Sequence, residues 1–301
     1  MSIGGKENFR CGTIAIVGRP NVGKSTLLNR LVGQKLSITS RKPQTTRHRL
    51  LGILTRPGAQ YIFVDTPGFQ TRHGGGLNRM LNRNVRQALQ EVDAVALVVE
   101  AGVFGEADQG VVKLLPKDIP VLLVVNKADK LGDPAAMLPY LEKLSREFQF
   151  AAVVPVSARL GKNTGELLRT LFPYLPQQPA IYGEDEITDR NERFLAAELI
   201  REKLFRSMGE EIPYGCAVVI EQFKEEGRLR RIHAAIVVDR EGHKAIIIGK
   251  KGEKLKALGT AARIDMEKLF GGKVYLELWV KVRSGWSEDE SQLRKLGYDG
   301  G

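Results

Sequence analysis

A chain of 301 residues is long for one domain and short for three, so we expect two domains. Hydrophobic residues make up 43% and charged residues 27% of the chain, a composition that excludes a disordered or fibrous protein. The longest apolar runs, AVALVV and VLLVV, are far shorter than the roughly 20 residues of a membrane span, and the opening MSIGGKENFR has no secretory apolar run. We therefore expect a cytoplasmic protein.

The net charge of +11 favours a polyanionic partner, either nucleic acid or an anionic membrane surface. Residues 1–180 hold 24 Lys and Arg against 13 Asp and Glu, whereas residues 181–301 hold 22 against 22. A nucleic-acid site in the second half must therefore be a local patch. A basic excess that only aids solubility is the alternative explanation.

The first part of the chain alternates short apolar runs with helix-length amphipathic segments. Continuous apolar runs, many of them β-branched, are typical of strands that are buried on both faces of a parallel sheet. We predict a doubly wound α/β fold with a mostly parallel sheet, whose strands cover residues 13–17, 50–55, 61–65, 94–99, 121–125 and 153–157.

The pattern changes after LPQQPA, a Pro- and Gln-rich stretch with the composition of a linker. The elements predicted beyond it are a helix over 187–205, strands over 215–223 and 230–239, two helices within 243–270, and a strand over 274–282. Apolar and polar residues alternate along the last strand, so one of its faces should be buried. We assign residues 1–178 to the first domain, 179–189 to a linker, and 190–301 to a second domain with a C-terminal tail.

The stretch GRPNVGKS is a phosphate-binding loop, and it lies between a predicted strand and a predicted helix, as that motif requires. Gly18 and Gly23 permit the tight backbone path in which successive N–H groups point at phosphates, and the helix adds its positive end. Lys24 would neutralise the β- and γ-phosphates. Ser25 would place its hydroxyl on a Mg²⁺ ion that bridges them.

NKAD at the end of the VLLVV strand indicates guanine rather than adenine. The Asp129 carboxylate can accept from both N1 and N2 of guanine, whereas adenine would leave this carboxylate unpaired. Asn126 would brace the loop and the base, and the stem of Lys127 would cover the ring. In SAR, at the end of the next strand, the backbone N–H of Ala158 would donate to guanine O6.

VDTPG ends another strand between these two motifs. Asp65 can hold the Mg²⁺ shell through water, and Gly68 can donate its N–H to the γ-phosphate. The segment 40–49 supplies a threonine for the metal, for which we prefer Thr46 to Thr45. Loss of the γ-phosphate would release both loops, as in the order-to-disorder switch of GTPases.

Five guanine-nucleotide motifs thus occur in the usual order over residues 13–160, and IIIGKKGEKLKALG follows at 246–259. Together they resemble the Era family of bacterial GTPases over essentially the whole chain. The resemblance implies a P-loop GTPase domain followed by an α+β type II KH domain, with GTP, GDP and Mg²⁺ as ligands. Phe69 stands where Ras-like enzymes have a water-orienting Gln, which resembles the hydrophobic-substituted class. Asn21 resembles the asparagine of potassium-stimulated GTPases, so K⁺ is a candidate cofactor.

These motifs supply three sets of candidate residues for the nucleotide. The catalytic set is Lys24, Thr46, Asp65, Gly68 and Asn21, and the metal ligands are Ser25 and Thr46. The nucleotide contacts are Gly18, Arg19, Pro20, Asn21, Val22, Gly23, Lys24, Ser25, Thr26, Asp65, Thr66, Pro67, Gly68, Phe69, Asn126, Lys127, Ala128, Asp129, Ser157, Ala158 and Arg159.

A GXXG loop, Gly249 to Gly252, lies between the two predicted helices of the second domain. KH domains use such a loop to clamp about four nucleotides of a single strand. Residues 240–256 hold six Lys and Arg against two Glu, so a basic patch exists inside a neutral domain. The predicted element order matches the type II KH arrangement. The candidate RNA-binding residues are Lys244, Ile248, Gly249, Lys250, Lys251, Gly252 and Lys254.

We therefore expect a GTP-hydrolysing switch whose nucleotide state is coupled to RNA binding. The resemblance implies that the RNA is the 3′ end of small-subunit ribosomal RNA, that the partner is the small ribosomal subunit during its assembly, and that the protein is a monomer. Peripheral contact with the inner membrane surface, at its cytoplasmic face, is left open. A membrane-surface signalling GTPase is the alternative function, and a metabolic phosphotransferase is disfavoured by NKAD.

Overall fold

The computed structural model describes residues 8–40, 42, 45–69, 76–131, 137–209, 212–286 and 289. The chain divides into two compact units. The first contains residues 1–37, 46–73 and 81–189, and the second contains residues 38–45, 74–80 and 190–301. Most of the predicted C-terminal tail lies outside the described residues.

A six-stranded sheet forms the centre of the first unit, in the order β2-β3-β1-β4-β5-β6. All neighbouring strands are parallel except β2, which forms an antiparallel hairpin with β3. The mostly parallel α/β sheet is confirmed. Its strands are β1 (Arg10–Val17), β2 (Leu50–Arg56), β3 (Ala59–Asp65), β4 (Ala94–Glu100), β5 (Val121–Asn126) and β6 (Ala152–Pro155).

The last of these strands is shorter than predicted. We expected it to reach Ser157, but it ends at Pro155 because Ser157 instead pairs with Lys162 across an isolated bridge. Residues 157–159 therefore belong to the loop that follows the strand.

Helices cover the sheet and occupy the connections between its strands. They are α1 (Lys24–Val32), α2 (Gly76–Gln90), α3 (Glu106–Val112), α4 (Met137–Glu147) and α5 (Thr164–Leu171). The apolar faces of α2, α3 and α4 pack on strand residues that are almost fully buried, among them Val95, Leu97 and Val125. Nowhere in the described parts of the chain is a helix long and apolar enough to cross a membrane.

Residues 179–189, for which we predicted a linker, are hydrogen-bonded along the first unit. The Ile53 N–H donates to the Ile187 carbonyl at 2.9 Å, and Gln60 Nε2 donates to the Tyr182 carbonyl at 2.8 Å. This stretch therefore follows β2 and β3 as an extension of the first unit.

The second unit has the order helix, strand, strand, helix, helix, strand that we predicted for a type II KH domain. Its elements are α6 (Glu192–Ser207), β7 (Cys216–Glu226), β8 (Leu229–Val238), α7 (Glu241–Ile248), α8 (Glu253–Phe270) and β9 (Lys273–Val282). The sheet order is β7-β8-β9, with β7 antiparallel and β9 parallel to β8. This separate sheet confirms the α+β class of the second domain.

Helix α6 begins later than the predicted residue 187, which was wrong. Asn191 has an extended backbone, and its Oδ1 accepts the N–H of Phe194 at 2.9 Å. This is an N-cap that satisfies a free donor of the first turn, and it fixes the start of the helix at Glu192.

Alternation along β9 agrees with the prediction of one buried face. Val274 and Val280 are buried in the core between the sheet and the helices, where Leu276, Leu278 and Val282 also pack. The intervening Glu277 and Lys281 are exposed. The sheet of the second unit therefore has one apolar face against its helices.

Segment 38–45 belongs to the second unit, where it is hydrogen-bonded to α6. The Thr39 N–H donates to Glu202 Oε1 at 3.2 Å, and Arg206 donates to both the Thr39 carbonyl and its hydroxyl. Arg201 donates to the Thr45 carbonyl. Several side chains of one helix thus hold both ends of this segment.

The substitution Ile236→Ala tests the packing of the core of the second unit. Ile236 is fully buried in β8, so Ile236→Ala should leave a cavity and lower the free energy of unfolding by about 2 to 5 kcal/mol. Both tryptophans of the chain, Trp279 and Trp286, lie in this unit, so their fluorescence during urea unfolding follows it selectively. Ile264→Ala on α8 is the matched control, because Ile264 is 41% exposed. An equal loss in the two variants would contradict the packing described.

Candidate functional site

The phosphate loop connects β1 to α1 and encloses the side chain of Lys24. Its Nζ donates to the carbonyls of Gly18 and Arg19 at 3.0 Å each. Burial lowers the pKa of Lys24 to about 8, against the opposing effect of the nearby Asp65 carboxylate. A buried cation held by loop carbonyls is well placed to meet phosphate oxygens.

Gly23 lets the phosphate loop approach the loop after β5. Its φ of 102° lies in the left-handed region, and an added Cβ would be 2.3 Å from Asn126 Nδ2. The Asn126 amide donates to the Val22 carbonyl at 2.7 Å. Asn126, the first residue of the base loop (residues 126–129), therefore braces the phosphate loop directly.

Asp65, at the end of β3, brings three hydroxyl groups together. Its Oδ2 accepts from Ser25 Oγ at 3.0 Å, from Ser37 Oγ at 2.6 Å and from Thr46 Oγ1 at 3.1 Å. Ser25 Oγ and Thr46 Oγ1 are 2.9 Å apart. Burial raises the pKa of Asp65, while the hydroxyl bonds and Lys24 oppose this rise. The predicted residues of three separate motifs thus meet at one carboxylate.

This group of oxygens fits Mg²⁺. Hydroxyl and carboxylate oxygens are ligands that Mg²⁺ prefers, and Asp65 Oδ1 is buried without a hydrogen-bond partner among the described residues. Thr46 contributes its hydroxyl to the group, whereas the Thr45 carbonyl accepts from Arg201. Ser37 was missed from the sequence, because nothing in its local pattern marks it.

Residues 66–69 continue from β3 past the phosphate loop. Thr66 Oγ1 donates to the Ile16 carbonyl at 2.8 Å. A Cβ added to Gly68 would be 2.9 Å from the backbone of Pro20, so the chain passes very close to that loop. The Phe69 side chain is buried in the apolar core of the first unit. It can neither donate nor accept a hydrogen bond to water.

At the base-recognition end, Asp129 already has partners. Its carboxylate accepts from Ser157 Oγ at 2.6 Å and from Arg159 at 3.0 Å, and these interactions lower its pKa. The Ala158 N–H, which we predicted for guanine O6, donates to Asn126 Oδ1 at 3.0 Å. A bound guanine must therefore share or replace that acceptor.

Two acidic residues beside the loops were missed from the sequence. Lys127 Nζ donates to Glu100 Oε2 at 2.7 Å, and Arg19 Nε donates to both carboxylate oxygens of Asp108 at 3.1 and 3.0 Å. Glu100 ends β4, so its position at the carboxyl edge of a parallel strand was a usable signal. Asp108 lies inside α3 and gave no such signal.

The GXXG loop of the second unit joins α7 to α8. Three of its residues have a positive φ, Gly249 with φ 71°, Lys251 with φ 50° and Gly252 with φ 81°. An added Cβ at Gly249 would be 2.7 Å from Lys254 Cγ. Lys250 and Lys251 are exposed at the tip, and Lys254 is exposed on the first turn of α8. The loop thus presents several cations on a closely turned backbone.

Two family models match the chain. Residues 13–127 match the model of the 50S ribosome-binding GTPase family, and residues 211–287 match the KH domain model. The first match spans the loops around Lys24 and Asp65, and the second spans the GXXG loop.

Similarity to curated proteins extends over both units. GTPase Era of Nitrosomonas eutropha is 58% identical over 293 residues, which are 97% of this chain and 99% of that protein. The chain belongs to the Era family of GTPases. GTPase Era of Chromobacterium violaceum is 56% identical over 97% of this chain and 98% of that protein. The resemblance read from the motifs is confirmed, and with it the GTPase activity.

Two solved Era structures superimpose on the chain with a TM-score of 0.93 each, at 40% identity and over 97% of this chain. One is Era in complex with MgGDPNP and nucleotides 1506–1542 of 16S ribosomal RNA, and 99% of that chain is covered. The other is a single-residue variant of Aquifex aeolicus Era bound to GDP·AlF4⁻, of which 100% is covered. The Era fold, a P-loop GTPase domain followed by a KH domain, is therefore confirmed.

Asp129→Asn tests the assignment of base specificity. The amide presents an N–H where guanine also presents donors, so GTP binding should weaken by about 1.5 to 3 kcal/mol. Xanthosine triphosphate should bind better than in the wild type, because the amide can donate to its second oxygen. Equilibrium titration with both nucleotides measures the change, and Asp118→Asn, an exposed acid of the same unit, is the control. Wild-type GTP affinity without a gain for the xanthosine nucleotide would contradict the assignment.

Proposed function

We propose that this protein is a GTP-dependent switch that binds the 3′ end of small-subunit ribosomal RNA through its KH loop and acts in small-subunit assembly. GTP hydrolysis follows from the family, whereas the RNA, the ribosomal role and the coupling between them are the proposal. Its RNA part is supported by the GXXG loop and by the related Era structure that contains 16S ribosomal RNA nucleotides.

The observation that carries the proposed coupling is the placement of segment 38–45. Ser37 and Thr46, the residues that flank it, both donate to Asp65 beside the phosphate loop. The segment between them is bonded to α6, the first helix of the KH domain. If Thr46 changes its position when the γ-phosphate is lost, segment 38–45, which is hydrogen-bonded to α6, would be displaced with it.

Mg²⁺ would be held by Ser25 and Thr46, with Asp65 acting through water, and would supply charge neutralisation at the β- and γ-phosphates. Lys24 would bind the same phosphates, and Gly68 would donate its N–H to the γ-phosphate. Because Phe69 is buried and apolar, positioning of the attacking water must come from other groups. We expect intrinsic hydrolysis to be slow for that reason.

Lys250→Asp combined with Lys251→Asp tests the RNA site. The glycines remain, and Asp tolerates the left-handed backbone of position 251. Each lost phosphate contact should reduce the salt slope of single-strand binding by about 0.7, so affinity at moderate salt should fall at least about tenfold. Titration of an oligonucleotide with the small-subunit 3′ sequence, at several salt concentrations, measures both quantities. GTP affinity, measured in parallel, should be unchanged.

The control for that experiment is Lys113→Asp with Lys117→Asp, two exposed positions in the basic first unit. It changes the net charge by the same amount and should leave RNA affinity nearly unaltered. Loss of RNA binding in the control alone would place the site in the first unit. Sedimentation with anionic vesicles in the absence of RNA tests the membrane-surface alternative, for which we expect weak binding that both double variants reduce.

The substitution Asn21→Gly tests whether K⁺ stimulates GTP hydrolysis. Asn21 is exposed in the phosphate loop with a left-handed backbone of φ 65°, which glycine also adopts, so Asn21→Gly removes the amide without strain. We expect wild-type turnover to be about tenfold faster in K⁺ than in Na⁺, and Asn21→Gly to lose this difference. Asn163→Gly, at another left-handed asparagine with φ 58°, is the matched control. Equal wild-type turnover in the two salts would exclude the cation.

A further inference from the structure

Glu100 is placed between the two loops that enclose the nucleotide site. It is the last residue of β4 and pairs with Asn126, the first residue of NKAD, in the β4–β5 register. The N–H of the next residue, Ala101, donates to the Asn126 carbonyl at 2.8 Å. The backbone of Glu100 is therefore tied to the base loop, and its side chain is 18% exposed.

One oxygen of the Glu100 carboxylate contacts cations from both loops. Its Oε2 is 2.7 Å from Nζ of Lys127 in the base loop and 3.6 Å from the guanidinium of Arg19 in the phosphate loop. Its Oε1 is 3.2 Å from Nζ of Lys130. Lys127 and Arg19 are thus close neighbours of the same charge with one carboxylate between them.

Arg19 is held from its other side by Asp108. Both carboxylate oxygens of Asp108 accept from Arg19 Nε, and this carboxylate is only 2% exposed. Asp108 Oδ2 also accepts the N–H of Gly105 at 3.1 Å, which fixes the carboxylate at the start of α3. The guanidinium therefore reaches Glu100 from a fixed position.

Lys127 needs such support. Its φ of 62° is uncommon for a residue with a side chain and persists only where surrounding contacts determine it. Without the Glu100 charge, the ammonium of Lys127 and the guanidinium of Arg19 would repel each other in a partly buried site. Burial acts to raise the pKa of Glu100, but its bonds to Lys127 and Lys130 prevail and lower it, so the carboxylate is charged at neutral pH.

We infer that Glu100 is a positioning residue for the bound nucleotide. Its carboxylate sets the separation of Arg19 in the phosphate loop and Lys127 in the base loop, so that the phosphate and guanine ends of the site are formed as one unit. This inference rests on the nucleotide site described above. It assigns Glu100 to nucleotide affinity and not to the hydrolysis step, because Glu100 contacts neither Asp65 nor Thr46 among the described interactions.

The test is Glu100→Gln, which keeps the shape of the side chain and removes its charge. The Kd values for GTP and for GDP should rise together by about tenfold or more. KM for GTP should rise with them, whereas kcat at saturating GTP should stay within about twofold of the wild type. Unchanged Kd values, or a loss in kcat alone, would overturn the inference. Wild-type protein that does not bind guanine nucleotides would instead overturn the nucleotide site itself.

A double-mutant cycle distinguishes positioning from general destabilisation. Lys127→Met removes the ammonium but keeps the apolar stem. In the Lys127→Met background, the fold-increase in Kd caused by Glu100→Gln should be about a third or less of the fold-increase that it causes in the wild-type background. If the fold-increase in Kd of the double variant equals the product of the fold-increases of the two single variants, Glu100 does not act through Lys127. Glu166→Gln, at an exposed acid that pairs with Arg169 in α5, is the matched control and should leave both Kd values unchanged.

Glu100→Asp keeps the test decisive if Glu100→Gln does not fold. The shorter carboxylate retains the charge but reaches Lys127 and Arg19 less well. The Kd values of the Glu100→Asp protein should therefore lie between those of the wild type and the higher values expected for Glu100→Gln. Circular dichroism melting identifies which variants are folded. A folded Glu100→Asp protein with wild-type Kd values would overturn the inference.

Discussion

The nucleotide site depends on the Asp65 carboxylate, a buried charge that three hydroxyl groups surround. An isolated buried carboxylate is costly, and the bonds from Ser25, Ser37 and Thr46 offset that cost. One hydroxyl belongs to Ser25 in α1, and the other two belong to Ser37 and Thr46, which flank segment 38–45. A single acidic residue at the end of β3 therefore holds together the parts that a Mg²⁺–nucleotide complex would contact. Its unpartnered Oδ1 shows that, within the described residues, this group of oxygens is not saturated.

The parallel sheet explains why distant motifs meet. The carboxyl ends of β1, β3, β4 and β5 lie at one edge, and each strand is followed there by a loop that carries polar residues. Asn126 then links the base loop to the phosphate loop through the Val22 carbonyl, while Glu100 contacts Lys127 and Arg19. The two loops at the ends of the expected nucleotide are thus joined to each other by these bonds.

The KH domain has a different electrostatic basis. Residues 190–301 hold 22 Lys and Arg against 18 Asp and Glu, a net charge of +4 that equals the excess of the 240–256 patch alone. Many of the domain's charges form pairs, such as Arg230 with Glu192 at 2.7 Å. Among the residues that the structure describes, the exposed Lys250 and Lys251 of the GXXG loop take part in none of these pairs, and they lie on a tightly turned backbone. A local patch of this kind concentrates the positive charge of the domain where a phosphate chain could bind.

The sequence by itself determined the fold class, most strands and the five nucleotide motifs, because runs of apolar residues and short motifs encode local structure directly. It placed Asp65 and Asn126 at the ends of their strands, where the structure also has them, whereas Lys24, predicted within the phosphate loop, is the first residue of α1. It could not find Ser37 or Asp108, or show that Asn191 delays the start of α6. The contacts of Glu100 and the attachment of segment 38–45 to α6 were decided only by the tertiary structure, because they join residues that are far apart in sequence and meet only when the strands and helices pack.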